Sequence, residues 1–395
     1  MRRKSRSLLV LSGLLALALI VAACAEEQDD EDVADATEDV HDDEDVADDD
    51  EDVADDDGDV PEAPEGQEIV LFDGQWESLW ILNEIFTVVA EHGYGHTVDA
   101  PTTSTPVMME SMPDGEMHVA MEFWCMNIPD WCDEELLPED SSVASAGTVF
   151  EEAAQGWFVP RYVIEGDEEQ GIDPVAPDLV SVSDLEGLGE LFEDPESPGS
   201  GLLLGGIDGW EVTEINRYKL EAYGLADEYN FLSAGSAAAF DAAIVSAIDR
   251  GEPVLFYYWT PAWIPGVYDL VQLEEPDWNE ACQDELDEAL AAEVDPSDVG
   301  PEVGCAQPSG EIRLGAYAGL EDTAPEMMAF LRNIDGNFGT DLMNELTAYM
   351  ELEDAEPDET ALWFFGEYDQ WRDWIPDEDG LARIDAALAE MGVEI

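Results

Sequence analysis

One pattern occurs twice in this chain and restricts its fold more than any other feature. Residues 237–263, AAAFDAAIVSAIDRGEPVLFYYWTPAW, predict a helix over Ala237–Asp249, a turn at Arg250-Gly251, and an apolar strand that stops at Trp259. The same order appears earlier: a short helix containing Val107–Met112, then Gly115, then the run MHVAMEFW ending at Trp124. Each instance follows its own strand and helix. EIVLFDG and WESLWILNEIFTVVAEHGY precede the first, with Gly93 closing the helix and HTVDAPTTST supplying a second strand and a turn. GSGLLLGGIDGWEVTEINRYKLEAYGL precedes the second, as a strand, a Gly-rich turn carrying Trp210, and a helix. Two βαβ-type halves of this kind predict an α/β fold of paired lobes. Ligands of open parallel sheets sit beyond the carboxyl ends of the strands. Facing lobes would therefore aim Trp124 and Trp259 into one shared cleft.

The remaining segments fit around these halves. AAQGWFVPRYV (153–163) predicts a strand crossing into the second lobe, and SDLEGLGELF (183–192) a short helix. EIRLGAYAGLEDTAPEMMAFLRNI predicts a strand and a helix back in the first lobe. The expected layout is a signal peptide over 1–23, an acidic tether over 24–66, and the first lobe over 67–156 and 311–395. The second lobe spans 157–272, and an acidic Cys-containing insertion spans 273–310.

The N-terminus has the form of an export signal. Arg2, Arg3, Lys4 and Arg6 precede an apolar stretch from Leu8 to Val21, which is short for a membrane span, and Ala22-Ala23-Cys24 ends it. Small residues directly before a Cys have the form of a bacterial lipobox, which makes Cys24 the expected lipidated first residue of an extracytoplasmic, membrane-anchored chain. The following stretch is nearly all Asp and Glu, with EDVAD beginning at Glu31, Glu44 and Glu51. Like charges extend such a segment, and it lacks the spacing and loop glycine of an EF-hand.

Charge narrows the partners. With 98 acidic against 12 basic residues the formal net charge is −86, which repels nucleic acid and anionic lipid surfaces. Yet 45% of residues are hydrophobic and 12 are Trp, enough for a sizeable core, so the acidic skin is read as adaptation to high salt. In sequence order, the four cysteines of an exported chain favour disulfides Cys125–Cys132 and Cys282–Cys305. His92, His96 and His118 are expected to be structural, and no metal or cofactor is expected. The glycines before Glu211 lack the Lys-Ser/Thr of a phosphate loop, and neither GxSxG nor HExxH occurs, so the chain is not expected to be an enzyme.

At GEPVLFYYWTPAW, AAQGWFVP and DGWEVTEINRYKLEAYGL the chain resembles the substrate-binding proteins of glycine betaine/proline ABC transporters. The resemblance covers roughly residues 67–395 outside the acidic insertion. It implies a periplasmic-binding-protein-like fold of type II, a ligand cleft between the lobes, and delivery of the ligand to a permease and its ATPase by a monomer. It also implies that Trp124, Trp210 and Trp259 form an aromatic box for a quaternary ammonium ligand such as glycine betaine, proline betaine, choline or carnitine. An alternative with the same box is a ligand sensor without a transport role. Trp76, Trp157 and Trp263 are second-tier cleft candidates, whereas Trp278, Trp371 and Trp374 are expected to pack. In some family members a His four residues after the first box Trp and backbone amides after the second hold the ligand carboxylate. Here those positions are Ile128 and the backbone of Glu211. Glu122, if it faced the cleft, would suit choline better than a carboxylate, and Arg161 is the nearest basic residue for an anion.

Overall fold

The computed structural model describes residues 60–394. The signal peptide, Cys24 and the tether up to residue 59 lie outside the described residues.

The first half opens with β1 (Glu68–Val70), which pairs in parallel with β2 (Thr97–Asp99). Leu71, just past β1, bridges in parallel to Val119 of β3 (Val119–Phe123), so the local order is β2-β1-β3. Between β1 and β2 runs α1 (Glu77–Val88), whose Leu79, Leu82 and Phe86 recur at helical spacing and are buried. Its buried Asn83 donates to the Phe72 carbonyl at 2.9 Å, pinning the helix to the end of β1. Helix α2 (Thr105–Asp114) leads to β3.

The second half repeats this plan. Strand β5 (Gly201–Ile207) pairs in parallel with β6 (Tyr229–Ala234) and with β7 (Leu255–Thr260), giving β6-β5-β7. Helices α3 (Glu211–Ala222) and α4 (Ala237–Asp249) make the connections. The side chain of Ser236 caps α4 by accepting from the Ala239 N–H, and Gly251, at φ 65°, takes the left-handed turn that lets the chain re-enter the sheet.

One long strand joins the halves. β4 (Val143–Pro160) pairs antiparallel with β9 (Gly310–Tyr317) through its first part and with β7 through its last, Ala154 facing Thr260. The short β8 (Leu270–Gln272) adds to its end. β9 in turn lies antiparallel to β3, so among the described residues the sheet runs β3-β9-β4-β7-β5-β6. The molecule is thus the two-lobed, type II α/β architecture expected. The crossing strand begins ten residues before the expected start at Ala153. Its first part slips register repeatedly against β9, and Gly147 sits at φ 124°, which breaks the two-residue alternation by which a strand is recognised.

Two other expectations fail. SDLEGLGELF is not one helix but two single turns, Val182–Leu185 and Gly189–Phe192, because Gly187 between them takes φ 82°. Trp278 does not pack: it is 44% exposed. The insertion carries helix α5 (Glu280–Ala291), capped by Asn279 and tied down by the Cys282–Cys305 disulfide. Its Leu286, Ala289 and Val303 bury a small second core against Ile215, Tyr218 and Ala222 of α3. Lys219 of α3 and Glu275 form a buried ion pair at the insertion's root, where Tyr223 also donates to Glu275 at 2.8 Å.

The chain then returns to the first half with α6 (Pro325–Ile334), α7 (Thr340–Leu352), α8 (Pro357–Glu367) and α9 (Glu378–Glu390). Trp371 and Trp374 are buried among these helices. No helix among the described residues is long and apolar enough to cross a membrane.

Candidate functional site

The halves meet around a cavity of about 60 Å³ lined from both sides by aromatic rings. That volume leaves room for a small molecule or a few waters. Trp76 stands immediately before α1 and Trp210 immediately before α3, in matching positions of the two halves. Trp124 follows β3, and Trp259 is the penultimate residue of β7. The rings of Trp76 and Trp210 are 6.2 Å apart at 77°, and those of Trp210 and Trp259 are 5.1 Å apart at 89°. Trp210 thus stands nearly perpendicular to Trp76 and to Trp259, edge to face rather than stacked.

The halves touch across the mouth. The Trp210 indole N–H reaches the Gly74 carbonyl of the opposite half at 2.6 Å, and the Thr105 N–H donates to the Gly209 carbonyl at 3.0 Å. Gly74 must be glycine, since a Cβ there would lie 2.1 Å from the Trp76 ring.

Glu122 organises the first wall. It is 1% exposed, and its Oε2 accepts the indole N–H of Trp76 at 2.8 Å and of Trp124 at 2.9 Å. Burial pushes its carboxyl up to about 7, although these two donors and the adjacent Ser78 favour the charged form. Its other oxygen, Oε1, has no hydrogen-bond partner among the described residues, yet the residue lines the cavity. A second polar element is the start of α3. Glu211 and Val212 line the cavity, and the first N–H groups of a helix have no acceptor within it. Burial also raises the Glu211 carboxyl, with Glu214 and Asp287 adding repulsion.

Of the sequence-derived candidates, Trp76, Trp124, Trp210, Trp259 and Glu211 come together here. Trp157 and Trp263 do not line the cavity. Trp157 is buried behind it, donating to Asn216 of α3 at 2.8 Å and packing edge-on against Tyr223. Trp263 is buried against α4, donating to Asp241 at 3.0 Å. Both belong to the core of the second half. Ile128, at the position where the resemblance implied a carboxylate-holding His, lines the cavity. Arg161 is at the surface, paired with Glu165 and Asp269, and is no part of the site. A Cys125–Cys132 disulfide closes the loop that presents Asn127 and Ile128. Sequence reasoning missed Phe72, Met108 and Tyr257. Tyr257 was within reach, because it lies two residues before Trp259 and so shares its face of β7. Among the described residues no cluster of three or more His, Cys, Asp or Glu is placed to hold a metal ion.

Comparison with known proteins finds relatives of the chain in sequence and in fold. Residues 67–367 match the family described as "Substrate binding domain of ABC-type glycine betaine transport system". A trimethylamine N-oxide-binding protein of Pelagibacter ubique is 22% identical over 312 residues, covering 76% of this chain and 87% of that protein. Among solved structures, the glycine betaine, L-proline-binding protein of Borrelia burgdorferi superposes with a TM-score of 0.60 at 19% identity, over 80% of this chain and 99% of that one. An ABC-transporter choline-binding protein in complex with choline gives a TM-score of 0.58 at 16% identity, over 81% and 98%.

Proposed function

Because the chain belongs to the family of substrate-binding domains of ABC-type glycine betaine transport systems, we propose that its aromatic cavity captures a small, fully methylated ammonium osmolyte for delivery to a membrane permease. The observation that carries this reading is the set of four indoles from opposite halves around one cavity, two of them oriented by Glu122. A quaternary ammonium has no N–H, so acceptors cannot select it by hydrogen bonding. Indole faces attract it through their negative quadrupole, at about 0.5–2 kcal/mol per ring when partly or fully dry. Several such rings plus methyl burial reach about −8 kcal/mol, a micromolar dissociation constant.

The polar groups bear on the rest of the ligand. The α3 N-terminus offers N–H groups to an anionic oxygen, as on a betaine or an N-oxide. Glu122 acts in either state: protonated it donates to such an oxygen, ionised it adds negative charge that suits a net cation such as choline. In the export signal and Cys24 we read a lipid-anchored placement outside the cytoplasm, where the net charge of −86 matches a salty exterior. Family members bind and hand over ligand, and no catalytic step is proposed.

Calorimetric titration at high salt with glycine betaine, choline and trimethylamine N-oxide tests the reading. At least one should bind in the micromolar range. Heat-silent titrations with all three would remove it.

A further inference from the structure

Beside the aromatic box, two carboxyl groups from opposite halves meet with no base between them. Glu77 is the first residue of α1, next to Trp76. Asp241 lies in α4, next to Phe240, whose ring stands 6.1 Å from Trp210. The two side chains are within hydrogen-bonding contact of each other, at 6% and 9% exposure. Asp241 accepts the Trp263 indole N–H on Oδ2 at 3.0 Å and the Tyr258 hydroxyl on Oδ1 at 3.2 Å. Glu351 of α7 adds a further acidic charge nearby, and Tyr258 of β7 is the other titratable group in contact. Glu122 of β3 lies beneath the same helix at Ser78, and Glu84 farther along α1 faces Asp358 of α8. Among the described residues neither Glu77 nor Asp241 pairs with Lys, Arg or His.

We propose that Glu77 and Asp241 form a shared-proton clasp between the halves, made only when the cleft is closed, so that ligand capture takes up a proton and weakens as pH rises. Two carboxylates in contact and out of water cannot both remain charged. Burial raises both carboxyls, and the Asp241 charge pushes Glu77 further up. Asp241 has two donors and Glu77 has only its own backbone N–H, so Asp241 is the carboxylate and Glu77 the acid.

Opening separates the pair. Each group then meets water, and Glu77 at a helix N-terminus favours its charged form. Both return toward the ordinary carboxyl range near about 4. Closing therefore draws H⁺ from solvent onto the Glu77–Asp241 pair at a pH between the ordinary carboxyl range and the pair's raised value. Since the closed form binds more protons than the open form, its stability is greatest at low pH. It falls as pH rises from the ordinary carboxyl range to the pair's raised value, at most about tenfold in affinity per pH unit per proton, and then levels off.

The inference rests on ligand capture by the cleft, and its test keeps the two separable. Choline and glycine betaine are titrated calorimetrically into the wild-type protein in two buffers of different protonation enthalpy, and the part of the proton uptake that Glu77→Gln removes is the clasp's own, whatever Glu122 contributes to both. The expected result is uptake of a substantial fraction of a proton per ligand and a dissociation constant that rises with pH. Glu77→Gln should remove most of that uptake and flatten the profile, whereas Asp241→Asn, changing the clasp from the other half, should only reduce it, because burial alone still raises the Glu77 carboxyl. Equal proton uptake with and without Glu77 overturns the clasp. So does an affinity that follows Na⁺ at constant ionic strength instead of pH, which would make the pair a cation site. If no methylated amine binds, the functional reading fails by itself. The clasp is then decided by solution scattering of the ligand-free protein: a radius of gyration that grows with pH in the wild type but not in Glu77→Gln supports it, and parallel profiles overturn it.

Discussion

In the first half, Trp76 and Trp124 are held by one buried carboxylate oxygen, Oε2 of Glu122. In the second, Trp210 and Trp259 are held by other rings and, for Trp210, by the neutral Gly74 carbonyl. Trp259 stacks on Tyr258 at 4.4 Å and on Tyr257 at 6.0 Å, and Trp210 packs edge-on against Phe240 and Trp259. The two halves share a strand order and place their tryptophans at matching points, yet one wall is oriented by an ionisable carboxyl and the other by packing and a neutral backbone carbonyl. A wall built on an ionisable group responds to pH. A wall built on rings does not. The molecule thus pairs a tunable wall with a fixed one.

The fixed wall should show the largest loss on truncation. Trp210→Ala removes a ring of the box and the hydrogen bond to Gly74 that ties the halves together. A desolvated cation–π contact is worth about 2 kcal/mol and a net hydrogen bond about 1. The sum is roughly 3 kcal/mol, so affinity should fall on the order of 100-fold, measured by calorimetry with whichever methylated amine binds most tightly. A change of less than about fivefold would mean that the ring lies outside the ligand's contact and that the second wall is not the fixed one.

The tunable wall is probed by Glu122→Gln. The amide oxygen can still accept both indole N–H groups, so the box keeps its shape while the charge is lost. In the wild type the carboxyl ionises near about 7. Choline should therefore gain relative to glycine betaine as pH rises from 6 to 8, about tenfold if the ligand's charged groups contact Glu122. The ratio of the two affinities is the right measure, because any proton uptake by Glu77 and Asp241 is common to both ligands and cancels. In the Gln variant the ratio should become flat. A wild-type ratio already flat across this range would remove Glu122 from ligand selection and leave it as a support for two rings.

What could be read from the sequence follows from where the information lies. The Ala237–Asp249 helix was legible to the residue and the end of the strand after it to within one, because the Ser236 cap, the Gly251 turn and the aromatic run are all local signals. So were the tryptophans at strand ends and before helices, since topology alone brings those points together. The first part of β4 was not legible, because its bulges interrupt the alternation that marks a strand. The fate of Trp157 and Trp263 was hidden for a different reason. The neighbours of Trp157 in β4 do not reveal which side of the sheet it faces, Trp263 opens a short helix past the end of β7, and their partners, Asn216 and Asp241, are distant in the chain. The Glu122 bond to Trp76 and the contact of Glu77 with Asp241 likewise exist only once the fold has closed.

The smallest expected effect on binding separates rings that line the box from a ring that stands behind it. Trp157 is fully buried, and its losses are internal: the hydrogen bond to Asn216 and contact with Tyr223. Trp157→Phe keeps most of the apolar bulk but leaves the Asn216 oxygen without its donor, which costs about 1–3 kcal/mol of folding stability. Affinity should stay within about twofold, because Asn216 sits on α3 about one helical turn beyond Glu211 and Val212 and reaches the cavity only through the helix itself. Trp76→Phe is the matched control, since it also deletes an indole N–H, here the one bound to Glu122, but from inside the cavity. It should weaken binding about tenfold through the poorer quadrupole of phenyl and the released carboxylate. If both variants lost affinity equally, α3 would be transmitting the core's packing to its N-terminus, and the box could no longer be treated as a surface independent of the layer beneath it.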